Sequence, residues 1–170
     1  AHRELRIADE LKVRSFAHVV PFINAGADVD TGDYFVVMPK AEGSLQNLVE
    51  QGRSLSSAET AKILLQIVDG LIEVGELVHR DLKPDNILLH NGVWKIADFG
   101  ISRFVDESTS ANTLKGYLSK YYAAPEQWRF ERATHATDVY ALGCIGFCLL
   151  TGKPPFMQDP SAQHQSVPAP

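Results

Sequence analysis

Three things are scarce in this chain: clustered basic charge, a membrane-length apolar run, and cysteine. The formal net charge is -5. Its lysines and arginines form no long run, which argues against a nucleic-acid surface as the main function. The most apolar run, Val139 to Leu150, is too short for a bilayer, which takes ~20 residues. It reads as a helix buried on all sides. No basic-then-apolar leader opens the sequence. The two cysteines, Cys144 and Cys148, sit in that apolar run, where reduced core thiols are expected; two ligands alone are a weak metal signal. A cytoplasmic setting, or the cytoplasmic part of a larger protein, fits this usage. What remains is a globular balance of 45% hydrophobic and 22% charged residues over 170 positions, enough for one real core.

Two polar clusters stand out. His79-Arg80-Asp81-Leu82-Lys83-Pro84-Asp85-Asn86 is followed by Asp98-Phe99-Gly100. Between them, Ile87-Leu88-Leu89 and Val93-Trp94-Lys95-Ile96 flank Asn91-Gly92. That dipeptide tolerates the positive backbone angles of a two-residue hairpin turn. The hairpin would bring Asn86, before its first strand, near Asp98, after its second. Two oxygen-donor side chains suit magnesium, which keeps water and phosphate oxygens in its shell. Asp98 is the natural carboxylate ligand and Asn86 a neutral one. Asp81 could orient a hydroxyl and take its proton, and Lys83 could offset charge on phosphoryl oxygens. Phosphoryl transfer needs mainly this kind of positioning and electrostatics.

The rest of the chain offers a scaffold. Residues 3–12 have helical spacing in Leu5, Ala8 and Leu11. Val19–Ile23 and Tyr34–Met38 read as an antiparallel strand pair joined through the turn-prone Asp28–Asp33 segment, with Pro39 ending the pairing. Ser44 is a good N-cap for a short helix stopped by Gly52. Ser56 and Glu59 have capping-box spacing ahead of a longer helix. Its expected apolar stripe is Ile63, Leu64, Ile67, Val68, Leu71 and Ile72. Residues 101–122 lack a period and read as a long loop. A last helix is expected from about Thr137 or Asp138 to Leu150, and residues 158–170 are expected to be disordered.

These motifs closely resemble the eukaryotic-type protein kinase family. His79 to Asn86 matches its catalytic loop, Asp98-Phe99-Gly100 its metal-binding motif, and Ala124-Pro125-Glu126 the end of its activation segment. Asp138 followed by Tyr140-Ala141-Leu142-Gly143 resembles its central helix. Lys83-Pro84 looks like the serine/threonine branch. The resemblance implies an α+β protein-kinase-like fold: a partial small lobe over residues 1–38, then a hinge and partial, mainly helical large lobe over 39–157. It implies transfer of the γ-phosphoryl of ATP to a protein Ser or Thr hydroxyl, with Mg2+, or Mn2+ in its place. Asp81, Lys83 and Ser119 would be catalytic, the Ser standing where the branch usually has threonine. Asn86 and Asp98 would hold the metal, and Met38, Lys40, Ala41 and Leu88 would line the adenine site.

The same resemblance makes Glu4 the helix partner of an ATP-binding lysine, and gives His79, Phe99, Gly100, Glu126 and Asp138 structural roles. His79 would be a ring packed under Phe99, in a stack with Phe22 and Ala8, and not a base. Asp138 would cap its helix and fix the catalytic-loop backbone; a plain N-cap predicts the same side chain. Arg80 either binds a phosphate on Ser108, Thr109, Ser110 or Thr113, or is held by backbone beside a merely polar loop. The family's Gly-rich loop, its ATP-binding lysine and its last large-lobe helices find no counterpart in these residues. The chain is therefore expected to be the inactive middle of a larger domain, with exposed apolar surface. A non-catalytic kinase-like binding module is the alternative function. A small-molecule phosphotransferase is disfavoured by Ala124-Pro125-Glu126 and the Ser119 segment. The expected partners are ATP and a protein substrate, without nucleic acid and without a membrane segment in this chain; no oligomeric state is indicated.

Overall fold

The computed structural model describes residues 15–31, 34–99 and 121–156. The helix expected over 3–12, most of the 101–122 loop and the 158–170 tail lie outside the described residues.

Strands β1 (Asn24–Ala27) and β2 (Tyr34–Val37) pair antiparallel, with Asn24 opposite Val37 and Ala27 opposite Tyr34. The Asp28 carboxylate closes the turn by accepting the amides of Asp30 and Thr31, both at 2.9 Å. The first strand begins later than the expected Val19–Ile23. Val19 and Val20 are drawn instead to the end of another strand. Val20 donates to the Ile96 carbonyl, and Ile96 donates to the His18 carbonyl, each at 2.8 Å. Val19 thus makes a parallel bridge to Ile96. Pro21, without an amide hydrogen, separates the two pairings.

The second sheet has the order β3 (Gly43–Ser44), β4 (Ile87–His90) and β5 (Val93–Ile96), all antiparallel. Asn91 and Gly92 join β4 to β5 with φ of 53° and 72°, the positive pair that the turn requires. The Glu42 carboxylate accepts the Asn91 amide at 2.9 Å.

Helix α1 (Leu45–Glu50) follows β3 directly, with Ser44 as its N-cap. Helix α2 (Ser57–Val74) begins with the expected reciprocal cap. Glu59 donates its amide to Ser56 Oγ at 3.2 Å, and the Glu59 carboxylate accepts the Ser56 amide at 3.0 Å. The buried face of α2 runs through Thr60, Ile63, Ile67, Gly70 and Val74. The expected stripe is shifted at its end, since Ile72 is 69% exposed. Close packing at Gly70 sets that rotation. A Cβ there would sit 2.7 Å from the His18 carbonyl oxygen and 3.0 Å from Ile96 Cδ1.

A short 3₁₀ turn spans Pro84–Asn86, and the short helix α3 (Pro125–Trp128) leads to α4 (His135–Thr151). Helix α4 starts before the expected Thr137, with Thr134 as its N-cap and Gly152 ending it at φ 73°. Nor is α4 buried all round. Ala141, Cys144, Ile145, Cys148 and Leu149 face the core, whereas Val139, Phe147 and Leu150 are exposed. Both cysteines are free and buried, and burial pushes the Cys144 thiol up to about 11. One core joins Val19, Leu45, Ile67, Ile87, Ile96 and Phe99 to Ile145 and Leu149. The architecture is mixed α+β. No helix among the described residues is long and apolar enough to cross a membrane.

Candidate active site

The polar stretch after α2 lies against the β4–β5 hairpin, and backbone bonds stitch it there. Asn86 donates its amide to the Lys83 carbonyl at 3.0 Å, and its own carbonyl accepts the Ala97 amide at 2.8 Å. Its side-chain Nδ2 donates to the Asp81 carbonyl at 2.9 Å. One residue therefore touches the loop carrying Asp81 and the strand end leading to Asp98. Because Nδ2 is committed to Asp81, Oδ1 is the end of the amide left for a cation.

Asp81 and Lys83 face each other, with Nζ donating to Oδ2 at 3.1 Å. Both side chains are partly buried. Arg80, next to Asp81 in the chain, has φ 69°, and Asp98, just after β5, has φ 55°. Non-glycine residues rarely adopt that region, and such strain gathers at functional sites when the surroundings impose it.

The surroundings at Arg80 are explicit. Asp138, buried in the first turns of α4, accepts the His79 amide on Oδ2 at 2.8 Å and the Arg80 amide on Oδ1 at 2.9 Å. Thr134 is the N-cap of α4; the Asp138 carboxylate is spent on the loop and not on capping its own helix. The plain N-cap reading is thereby corrected.

His79 is fully buried. Its Nε2 lies 3.0 Å from the Ala97 carbonyl, which can only accept, so Nε2 carries the proton. Nδ1 accepts the Asp81 amide at 3.2 Å. Both nitrogens are thus engaged in a neutral ring, leaving none for base chemistry. Burial holds its pKa below the ordinary histidine value, against the raising effects of the Ala97 bond and of Asp138, Asp81 and Asp98. The ring rests against Phe99, with centroids 4.9 Å apart and planes tilted by 51°. Phe22 is partly buried on the same core.

The remaining residues are more dispersed. Leu88 lies on β4 opposite Ser44 and Lys95. Met38 and Ala41 are half-buried and Lys40 is exposed; the next residue, Glu42, donates to the Leu89 carbonyl at 2.9 Å. Glu126 accepts the Thr137 hydroxyl at 2.6 Å, and Thr137 Oγ1 accepts the Thr134 amide at 3.0 Å. Glu4, Ala8, Gly100, Ser108, Thr109, Ser110, Thr113 and Ser119 lie outside the described residues.

Two contributors escaped the motif reading. Thr137 is one. Gln127 is the other: its Nε2 donates to the Arg80 carbonyl at 2.7 Å. A glutamine two residues into a helix opened by proline signals a reach back to the helix start, but nothing local points to Arg80.

Among the described residues, no group of three or more His, Cys, Asp or Glu side chains forms a metal cage. Asn86 and Asp98 offer a neutral and an anionic oxygen. That donor set fits a hard divalent cation completing its shell with water and phosphate.

Comparison with known proteins places the chain in a family. Residues 1–168 match the family profile described as the protein kinase domain. The chain is 37% identical over 143 residues to the serine/threonine-protein kinase PrkC of Bacillus subtilis, covering 82% of the chain and 22% of that protein. It is 38% identical over 128 residues to the probable serine/threonine-protein kinase PknB of Corynebacterium glutamicum, covering 72% of the chain and 20% of that protein. It is 35% identical over 172 residues to calcium-dependent protein kinase 27 of Arabidopsis thaliana, covering 95% of the chain and 34% of that protein. The chain spans about a fifth of the length of the two bacterial relatives. With a profile match over nearly all its residues, the chain belongs to the protein kinase domain family.

Proposed function

We propose that the protein carrying this domain is a serine/threonine kinase, transferring the γ-phosphoryl of ATP to a hydroxyl of a protein substrate. The observation that carries this reading is the joining of Asp81, Lys83 and Asn86 into one bonded unit beside the turn to Asp98. Asp81 orients the attacking hydroxyl and takes its proton on a carboxylate oxygen. Lys83, held next to it, faces the charge that develops on the phosphoryl oxygens. Ser119 is proposed to contact the same pair.

Asn86 and Asp98 would hold the divalent cation, for which magnesium is proposed and manganese is a substitute. The cation, when bound, neutralises phosphate charge. Met38, Lys40, Ala41 and Leu88 are proposed to receive the adenine. A cytoplasmic setting supplies both ATP and protein acceptors. No observation favours the non-catalytic alternative.

The test is transfer of label from γ-labelled ATP by the native protein to protein and small-molecule acceptors, with identification of the labelled side chain. Label on Ser or Thr is expected. Asp81→Asn should lower turnover at least about a hundredfold while nucleotide binding stays. Unchanged turnover by that variant rejects Asp81 as the base, and label confined to small molecules rejects the substrate class.

A further inference from the structure

We infer that Gln127 is a positioning residue for Asp81, tying the turn before Asp81 to the segment that ends at Ala124. Its catalytic consequence rests on the kinase reading of Asp81; its geometry does not.

The two ends of the Gln127 amide do different things. Oε1 accepts the Ala124 amide at 3.0 Å, three residues back. This is an ordinary helix-start contact, and alone it would make Gln127 a local cap for α3. Nε2 leaves the helix and donates to the Arg80 carbonyl at 2.7 Å, across 47 residues of sequence. A local cap does not need that bond.

The bonded carbonyl matters because of where it sits. Arg80 is held at φ 69°, and its amide is fixed by Asp138 at 2.9 Å. Its carbonyl shares a rigid peptide plane with the Asp81 amide, which donates to His79 Nδ1 at 3.2 Å. Gln127 therefore grips one edge of the plane from which Asp81 departs, and His79 grips the other. A shift of the Ala124 backbone is passed through one side-chain amide to the direction of the Asp81 carboxylate. Gln127 and Asp81 line one small concavity with Arg80, Leu82 and Ala123.

Gln127→Glu in the native protein separates the two roles. A carboxylate still accepts the Ala124 amide, and negative charge suits a helix start. It cannot donate to Arg80, and it sets an anion against that carbonyl. Positioning predicts a kcat about tenfold lower or more, with the KM for ATP within about twofold, and faster hydrogen exchange at the Asp81 amide. A purely local cap predicts unchanged kcat and exchange with equal or higher melting temperature, and that result overturns the inference.

Gln127→Met, which removes both contacts, should reproduce the exchange change; equal protection of Asp81 in both variants and the parent also overturns it. If the parent protein transfers no phosphate, the kinase reading fails, and the positioning of Asp81 stands or falls on the exchange measurement alone.

Discussion

The Asp138 carboxylate and the Arg80 backbone form one unit: Oδ1 accepts the Arg80 amide at 2.9 Å across 58 residues of sequence. Oδ2 takes the neighbouring His79 amide. Asp138→Asn keeps the shape but has only one acceptor oxygen for two amides. One buried amide is then left facing an NH2 group, which costs about 1–3 kcal/mol. The variant should melt at a lower temperature and turn over more slowly, because Arg80 loses part of what holds its φ. Melting and turnover both equal to the parent would remove this carboxylate from the account of the site.

His79 makes stability depend on pH in a defined direction. Its folded pKa lies below the ordinary value of 6.5, chiefly through burial. In the unfolded chain the ring takes a proton near pH 6.5, while the folded ring still does not. The unfolded state therefore binds more protons, and stability falls as pH drops below about 6.5, with a slope of up to about 1.4 kcal/mol per pH unit. The loss continues until the folded ring's own depressed pKa is passed. His79→Phe should be less stable at neutral pH, yet its stability should change less between pH 7 and pH 5. Denaturant unfolding across that range checks it; parallel pH profiles for the two proteins would sink the assignment.

Gly70→Ala tests the contact between α2 and the His18 segment. The added methyl would lie 2.7 Å from a backbone oxygen, and that oxygen already accepts from Ile96. Alanine gains up to about 1 kcal/mol in helix propensity, but overpacking against fixed backbone costs about 1–3 kcal/mol. A net loss of melting temperature is expected, with weaker amide protection at Ile96. A more stable variant would mean that the helix and the segment are not held together as described.

The exposed face of α4 predicts self-association of the 170-residue chain on its own. Val139, Phe147 and Leu150 are 63%, 46% and 45% exposed, and their spacing places them along one side of the helix. Such stripes favour association. Sedimentation should show mass rising with concentration, and Val139→Glu with Phe147→Lys should suppress the rise. A parent chain that stays monomeric and melts cooperatively would contradict this.

What could be read beforehand follows from how local each cause is. The Asn91–Gly92 turn and the Ser56–Glu59 cap involve residues within one turn of each other, so their chemistry is written in adjacent letters. The start of β1 was misplaced because Val19 and Val20 answer to Ile96, far along the chain. The α2 face was misjudged at Ile72 because close packing at Gly70, not the apolar count, sets the rotation. At the site, the polar clusters announced the loop, in which Asn86 bonds the Asp81 carbonyl, and the hairpin, past whose second strand the Ala97 amide reaches Asn86. Asp138 is legible as a residue that fixes the loop backbone, but not as one that leaves its own helix end to Thr134, because only the folded chain shows both carboxylate oxygens taken by the His79 and Arg80 amides. Gln127 was passed over, since its distant partner is a backbone carbonyl, which carries no sequence signal.

The bridge between Val19 and Ile96 has a mechanical consequence. It lies two residues before Asp98, and the Glu73 carboxylate clamps its outer side by accepting the His18 amide and facing His18 Nδ1, both at 3.0 Å. The segment that enters the β1–β2 hairpin is therefore tied at Val19 to β5 and at His18 to α2. Any movement of the hairpin about that tie would be least beside Asp98 and would grow along β1 toward Asp28, at about 3.3 Å of lever arm per strand residue.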